Sequence, residues 1–258
     1  MKNKFLYHSL MSVSLFLLCA VNTWAKGDAE VAKTIHNMSV SSPYDFYKST
    51  ETQICIFCHT PHGGVLDGPL WNRSMATSAW THYNSASLSS AIVDDERPVS
   101  DESMLCMACH DGSISVFHLI NLSASGQPTS TFYSGPGNDD VPIMPMPGGL
   151  PGAMIGGSAA KPGGFGDLSD DHPISFSYTA VLADGGYGPG QAKDGQLRPY
   201  DQAEAYLGEG VRFFGADKRV ECSSCHDPHV DYETDQRYRP FLIRPNDGSK
   251  LCLACHNK

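Results

Sequence analysis

The chain is poor in charge, in long apolar runs and in clustered basic residues. Charged residues are 18% of the 258, against about 25% in ordinary globular domains, so the composition of a charged, disordered tail is absent and a folded chain is expected. There are 18 Lys and Arg against 28 Asp and Glu, a net charge of −10. Phosphate contacts need clustered basic residues, and none are clustered here, which excludes a nucleic-acid binder. The main apolar stretch, residues 10–21, follows Lys2 and Lys4 and precedes Thr23-Trp24-Ala25. It is well short of the roughly 20 residues that cross a bilayer. It reads as part of a secretory signal peptide over residues 1–25, so the mature chain is expected to be exported and to lack a membrane span. Cys19, inside that segment, lacks the small residues that precede a lipid-modified cysteine. Long helical or strand patterns are also scarce. The 25 Gly and 17 Pro exceed the usual share of about 12% for the two together, an excess of turn formers.

What is present is cysteine in a regular pattern. Beyond Cys19 there are eight, in four pairs: Cys55/Cys58, Cys106/Cys109, Cys222/Cys225 and Cys252/Cys255. Each pair is C-x-x-C followed at once by histidine: His59, His110, His226 and His256. With only 11 His in the chain, a histidine after all four pairs is not an accident. C-x-x-C-H is the attachment signature of c-type haem. Two thiols add across the two porphyrin vinyl groups, and the adjacent imidazole becomes an axial ligand of the iron. Three other chemistries fit less well. Disulfide scaffolds are usually small, and nothing in their chemistry asks for a histidine after each pair. The last two pairs alone resemble zinc-ribbon spacing, but the 47 residues between Cys58 and Cys106 do not. A thioredoxin-like site needs one C-x-x-C on a βαβ unit, not four copies.

Four low-spin haems need eight axial ligands, and four are the motif histidines. Cys55 opens CIFCHTPH and Cys222 opens CSSCHDPH, while Leu105 opens LCMACH and Leu251 opens LCLACH. The order therefore occurs twice and marks a duplicated dihaem unit. Each copy has a histidine upstream of its first pair and one in x-P-H, so His36, His62, His172 and His229 are the expected distal ligands. Pro61 and Pro228 stiffen the turns that carry His62 and His229 away from their own haem, which directs each toward a neighbouring iron. His82 and His118 are left over and read as surface or locally hydrogen-bonded residues. Methionine is the rival distal ligand, but the supply of histidine makes it unnecessary.

The expected organisation is a signal peptide (1–25), a first dihaem unit with an N-terminal arm (26–125), a Gly/Pro-rich connecting segment (126–168) and a second dihaem unit (169–258). The connecting segment includes PMPGGLPG and GGFG, which support neither helix nor strand. Residues 185–199 are a second loose stretch. Residues 201–207 read as one amphipathic helix ended by Gly208, and residues 113–120 as a brief alternating strand pattern. The expected fold class is a multihaem cytochrome c, mostly coil with a few short helices and minimal strand, wrapped around four covalently bound haems.

QICIFCHTPH, then PLWNR (residues 69–73), CMACHDG, DHPISF, CSSCHDPH and a final FLIR followed by LCLACH together resemble the OmcE-type extracellular tetrahaem cytochromes, within the doubled C-x-x-C-H cytochrome group. The likeness spans essentially the whole mature chain. It implies four bis-histidine haems in one continuous stack, filaments as nanowires, and one distal ligand that reaches in from the neighbouring subunit. On that likeness His36, on the N-terminal arm, is the natural donor across the boundary. An iron with two histidines has no open position for a substrate, so electron transport rather than enzymatic catalysis is expected. The partners are then other copies of the chain, redox cytochromes or extracellular metal acceptors, and the location is extracellular or at the cell surface. A monomeric periplasmic shuttle is the second reading. A multihaem reductase, which needs a haem with an open position, is the third.

Overall fold

The computed structural model describes residues 30–45, 48–65, 70–75, 79–93, 97–111, 116–129, 155, 166–184 and 196–257. The signal-peptide reading and almost all of the Gly/Pro-rich connecting segment lie outside these residues. Regular elements are few and short. Helix α1 is Asp101–His110, α2 Tyr178–Ala183, α3 Tyr200–Glu204 and α4 Cys252–Cys255. Strand β1 (Thr81–His82) pairs in parallel with β2 (Asp167–Leu168), and β3 (Phe176–Ser177) pairs antiparallel with β4 (Arg219–Val220). The helix expected over residues 201–207 is shorter. It stops at Ala205, whose ψ of 1° leaves the helical range, and a 3-10 turn follows in which Leu207 takes φ 52°. The strand expected over residues 113–120 is not formed in its described part, Val116 to Ile120. There Val116, Phe117 and Leu119 are buried while Ile120 donates its amide to the Asn72 carbonyl.

The duplication is visible in the backbone. In each half the first C-x-x-C begins on a 3-10 turn, Cys55–Phe57 and Cys222–Ser224, and the second lies on a helix, α1 and α4. In each half the segment after x-P-H returns to pair with the motif histidine, His59 with Trp71 and His226 with Leu242. Thr60 N–H donates to Leu70 O (2.8 Å) and Asn72 N–H to Cys58 O (2.9 Å). Asp227 N–H donates to Phe241 O (2.7 Å) and Ile243 N–H to Cys225 O (3.0 Å). The residue that turns the chain into this return has positive φ both times, 50° at Leu70 and 57° at Phe241. In the first half Gly64 permits the approach, because a Cβ there would stand 2.7 Å from the Leu70 backbone.

Apolar packing is divided among three small clusters: Met38, Phe57, Val116, Phe117 and Leu119; Trp80, Val99, Met107 and Leu168; and Ala203, Val211, Ile243 and Ala254. Phe57, Met107 and Ala254 are residues inside C-x-x-C pairs. No cluster is large enough to serve as the single core of a domain this size. Polar clamps tie the halves together. The buried Glu221 carboxylate accepts from the hydroxyls of Ser100, Ser103 and Ser175 and from Arg219 Nε at 3.1 Å. Arg219 also reaches Glu102 on α1 at 2.9 Å, and Tyr44 donates to Glu233 at 2.6 Å. Among the described residues no helix is long and apolar enough to cross a membrane.

Glu51, four residues before Cys55, is a buried carboxylate of the first half. Burial alone would push its carboxyl up, but the Ser123 hydroxyl and the Thr52 and Gln53 amides donate to it and hold it below the usual value of 4.5. A depressed carboxyl stabilises the fold above its unfolded value and loses that contribution as pH falls through its folded value. Glu51→Gln should therefore cost about 1–2 kcal/mol at pH 7, and the gap to wild type should close below pH ~4 in thermal melts taken across the acid range.

Candidate metal centre

Each C-x-x-C-H lies on a 3-10 turn or a helix, which keeps its two cysteines and the following histidine within one turn of each other. His59 N–H and His226 N–H both donate back to the first cysteine of their own pair, at 2.8 and 3.0 Å, and His256 N–H does so at 2.9 Å. All eight cysteines are free thiols. In every pair the second one is half-buried, whereas Cys55 and Cys252 are exposed. Burial pushes Cys58 and Cys225 up to about 12 and Cys255 to about 11. At neutral pH these are protonated thiols, the form of an inert rather than a reactive cysteine. Cys106 and Cys222 differ, because their thiols hydrogen-bond each other and thereby bring the second site of one half against the first site of the other.

The imidazoles come in pairs. His59 and His229 have ring centroids 6.3 Å apart with planes 11° from parallel. His36 and His110 have centroids 6.1 Å apart with planes 83° apart. Two imidazoles on one metal, each with a metal–nitrogen bond of about 2.0–2.1 Å and a ring nitrogen about 1.1 Å from the centroid, place their centroids roughly 6.2 Å apart. Both separations match that span, and each pair joins one motif histidine to one histidine expected as distal. His229 belongs to the second repeat and faces a motif histidine of the first.

His36, the expected donor to a neighbouring subunit, stands within the single chain against His110 and stacks on Phe241 at 4.3 Å. Contacts such as that stack and Lys33 to Asp231 at 3.5 Å fold the arm inward onto the second half. The His36 ring is held neutral, pushed down to about 4 chiefly by burial and then by the nearby His110 and His229, with the Pro228 carbonyl acting the other way. A neutral imidazole is the form that ligates a metal.

The other described histidines are placed as follows. His226 donates Nδ1–H to the Pro240 carbonyl at 2.9 Å, which leaves Nε2 to act as ligand. His256 is half-buried after α4. His172 is exposed, with Nδ1 on the Pro173 carbonyl at 2.8 Å, and His62 and His118 are exposed. His82 is buried in β1, with Nε2 on the Arg97 carbonyl at 2.9 Å. Among the described residues no three or more of His, Cys, Asp and Glu are grouped to hold a bare metal ion.

Two features of the centre escape a motif scan. Arg73 and Arg244 are buried at equivalent places and each donates Nη1 to a remote carbonyl, Val116 at 2.8 Å and Tyr206 at 3.0 Å. The signal was present as P-x-x-x-R, in PLWNR and PFLIR, but it starts at different distances after x-P-H. The second feature is Asp227, whose Oδ1 accepts from His229 Nδ1 at 3.0 Å while Arg212 binds Oδ2 at 3.0 Å. The signal was the difference between CHTPH and CHDPH.

Asn72 locks the first site. Its Nδ2 donates to Ile56 O at 2.8 Å and Asn121 O at 2.9 Å, and its Oδ1 accepts from Asn121 N–H at 2.8 Å, all with Asn72 fully buried. Asn72→Ala should cost about 2–4 kcal/mol in denaturant unfolding, because it leaves buried backbone groups unsatisfied. No protein-family model matches the chain, and no curated protein is significantly similar to it.

Proposed function

We propose that the chain is a tetrahaem c-type cytochrome that relays electrons between irons each held by two histidines, and that it serves as the subunit of an extracellular filament. The observation that carries the reading is the pairing of His59 with His229 and of His36 with His110 at 6.3 and 6.1 Å, joined to four C-x-x-C-H motifs. Each haem would supply an iron that changes oxidation state within a closed bis-histidine field, with no position left for a substrate. The residues do the rest. The paired cysteines would hold the macrocycles covalently, the motif histidines with distal partners would close the irons, and the clamps from Glu221 to Ser100 and Ser103 and from Arg219 to Glu102 tie the two halves together. The acidic chain favours cationic partners or metal ions.

Because His36 turns inward, a ligand crossing to a neighbouring copy falls to another histidine. His172 suits the part, exposed and oriented by the Pro173 carbonyl. The same inward turn favours the second reading, a monomeric periplasmic shuttle in which one chain supplies its own ligands. Electron microscopy of the native protein in negative stain separates the two: thin regular filaments support the polymer, and particles of monomer size support the shuttle.

The ligand assignment has its own test. His36→Ala and His229→Ala should each leave all four haems covalently attached by mass spectrometry and convert about a quarter of the low-spin absorption to high-spin, with the double variant converting about half. An unchanged low-spin spectrum in either variant would remove that histidine from the ligand set.

A further inference from the structure

Resting on the reading of His59 and His229 as ligands of one iron, we infer that Asp227 is a positioning residue that holds the reduction potential of that iron below the potential of the iron between His36 and His110. The two pairs differ in what lies behind the distal ring. Behind His229 stands a carboxylate, with Asp227 Oδ1 accepting from the ring Nδ1–H and from the His229 backbone N–H, both at 3.0 Å. Arg212 takes the other oxygen, Oδ2, at 3.0 Å. The guanidinium thus fixes the carboxylate rotamer without competing for the oxygen that faces the ring. The Asp227 side chain is 13% exposed and the His229 side chain 53%, so the carboxylate is held in place while the ring it meets stays partly open to water. A carboxylate on the far nitrogen of a metal-bound imidazole makes the ligating nitrogen a stronger donor. A stronger donor favours the ferric over the ferrous iron and lowers the potential.

Among the described residues no carboxylate stands behind His36: the neutral Pro228 carbonyl lies against its ring, which stacks on Phe241. The first repeat also lacks the carboxylate in its own copy of the motif. Thr60 occupies the place of Asp227 and donates its hydroxyl to the His62 carbonyl at 2.9 Å rather than to a ring. The duplication has therefore diverged at the one side chain that tunes the distal ligand. The resulting potential step lies inside a single chain, between two haems whose ligands interleave.

The experiment is a spectroelectrochemical titration of the holoprotein as wild type, Asp227→Asn, Asp227→Thr and Asp227→Glu. Thr is the residue the first repeat carries in the same turn, so Asp227→Thr keeps the test alive if Asn impairs folding. The expected result is that Asn and Thr raise the potential of one component of the four and leave the other three in place, while Glu restores the wild-type curve. Superimposable curves, or an equal shift of all four components, would overturn the inference. A wild-type preparation without covalently bound low-spin haem would instead overturn the functional reading on which the inference rests, so the two failures are distinguishable.

Discussion

The structure depends on bringing together imidazoles that are far apart in the chain. His59 and His229 are separated by most of the mature sequence, yet their rings lie 6.3 Å apart, and His36 reaches past its own first motif to lie 6.1 Å from His110. A spacing near 6 Å is one that two imidazole ligands of a single metal would also adopt, and each pair marks a point where two remote segments are held at fixed distance. The first pair joins the two repeats directly. The second brings the arm beneath Phe241, in the return segment of the second repeat. The halves are therefore interleaved rather than placed side by side.

That constraint accounts for the modest protein core. Three clusters of four or five apolar residues cannot by themselves offset the chain entropy of a domain this long. Each cluster contains a residue from within a C-x-x-C pair, so each lies against the place where, on the proposed reading, a macrocycle would add its own apolar surface. Buried polar clamps do the remaining fixing. Glu221 gathers three hydroxyls and a guanidinium from both halves, and Asn72 ties the first motif to the Asn121 backbone. Such fully satisfied networks specify one arrangement more strongly than they stabilise it.

Much of the local structure was legible in the sequence. The four C-x-x-C-H motifs, their order in two repeats and the shortage of regular elements all follow from spacing and from the Gly and Pro content. Less legible was whatever depends on partners distant in sequence. Residues 201–207 carry a good helical pattern, but the chain leaves the helix at Ala205, and Leu207 adopts φ 52°. Val116 to Ile120 alternates like a strand, but these side chains serve the cluster around Phe57, and the backbone bonds Asn72 instead of a strand partner. His36 could be chosen as a ligand from its place upstream of the first motif. That it faces His110 of the same chain depends on the arm folding onto Phe241, which no local pattern encodes.

Duplication leaves two copies of every part, and the differences between the copies are where specificity enters. Both repeats keep the positive-φ turn, the pairing of the motif histidine with the return segment and the buried arginine that donates to a distant carbonyl. Both arginines, Arg73 and Arg244, are buried beside the first motif of their repeat. The copies part at Thr60 and Asp227, at Asn72 and Ile243, and in the length of chain between x-P-H and the return. Of these, only the exchange of Thr for Asp places a charge on a candidate ligand, so on the proposed reading it is the difference that would reach an iron electronically rather than through packing. A chain assembled from equal units would offer an electron four similar resting places, and a single carboxylate behind one imidazole is enough to make one of them unlike the rest.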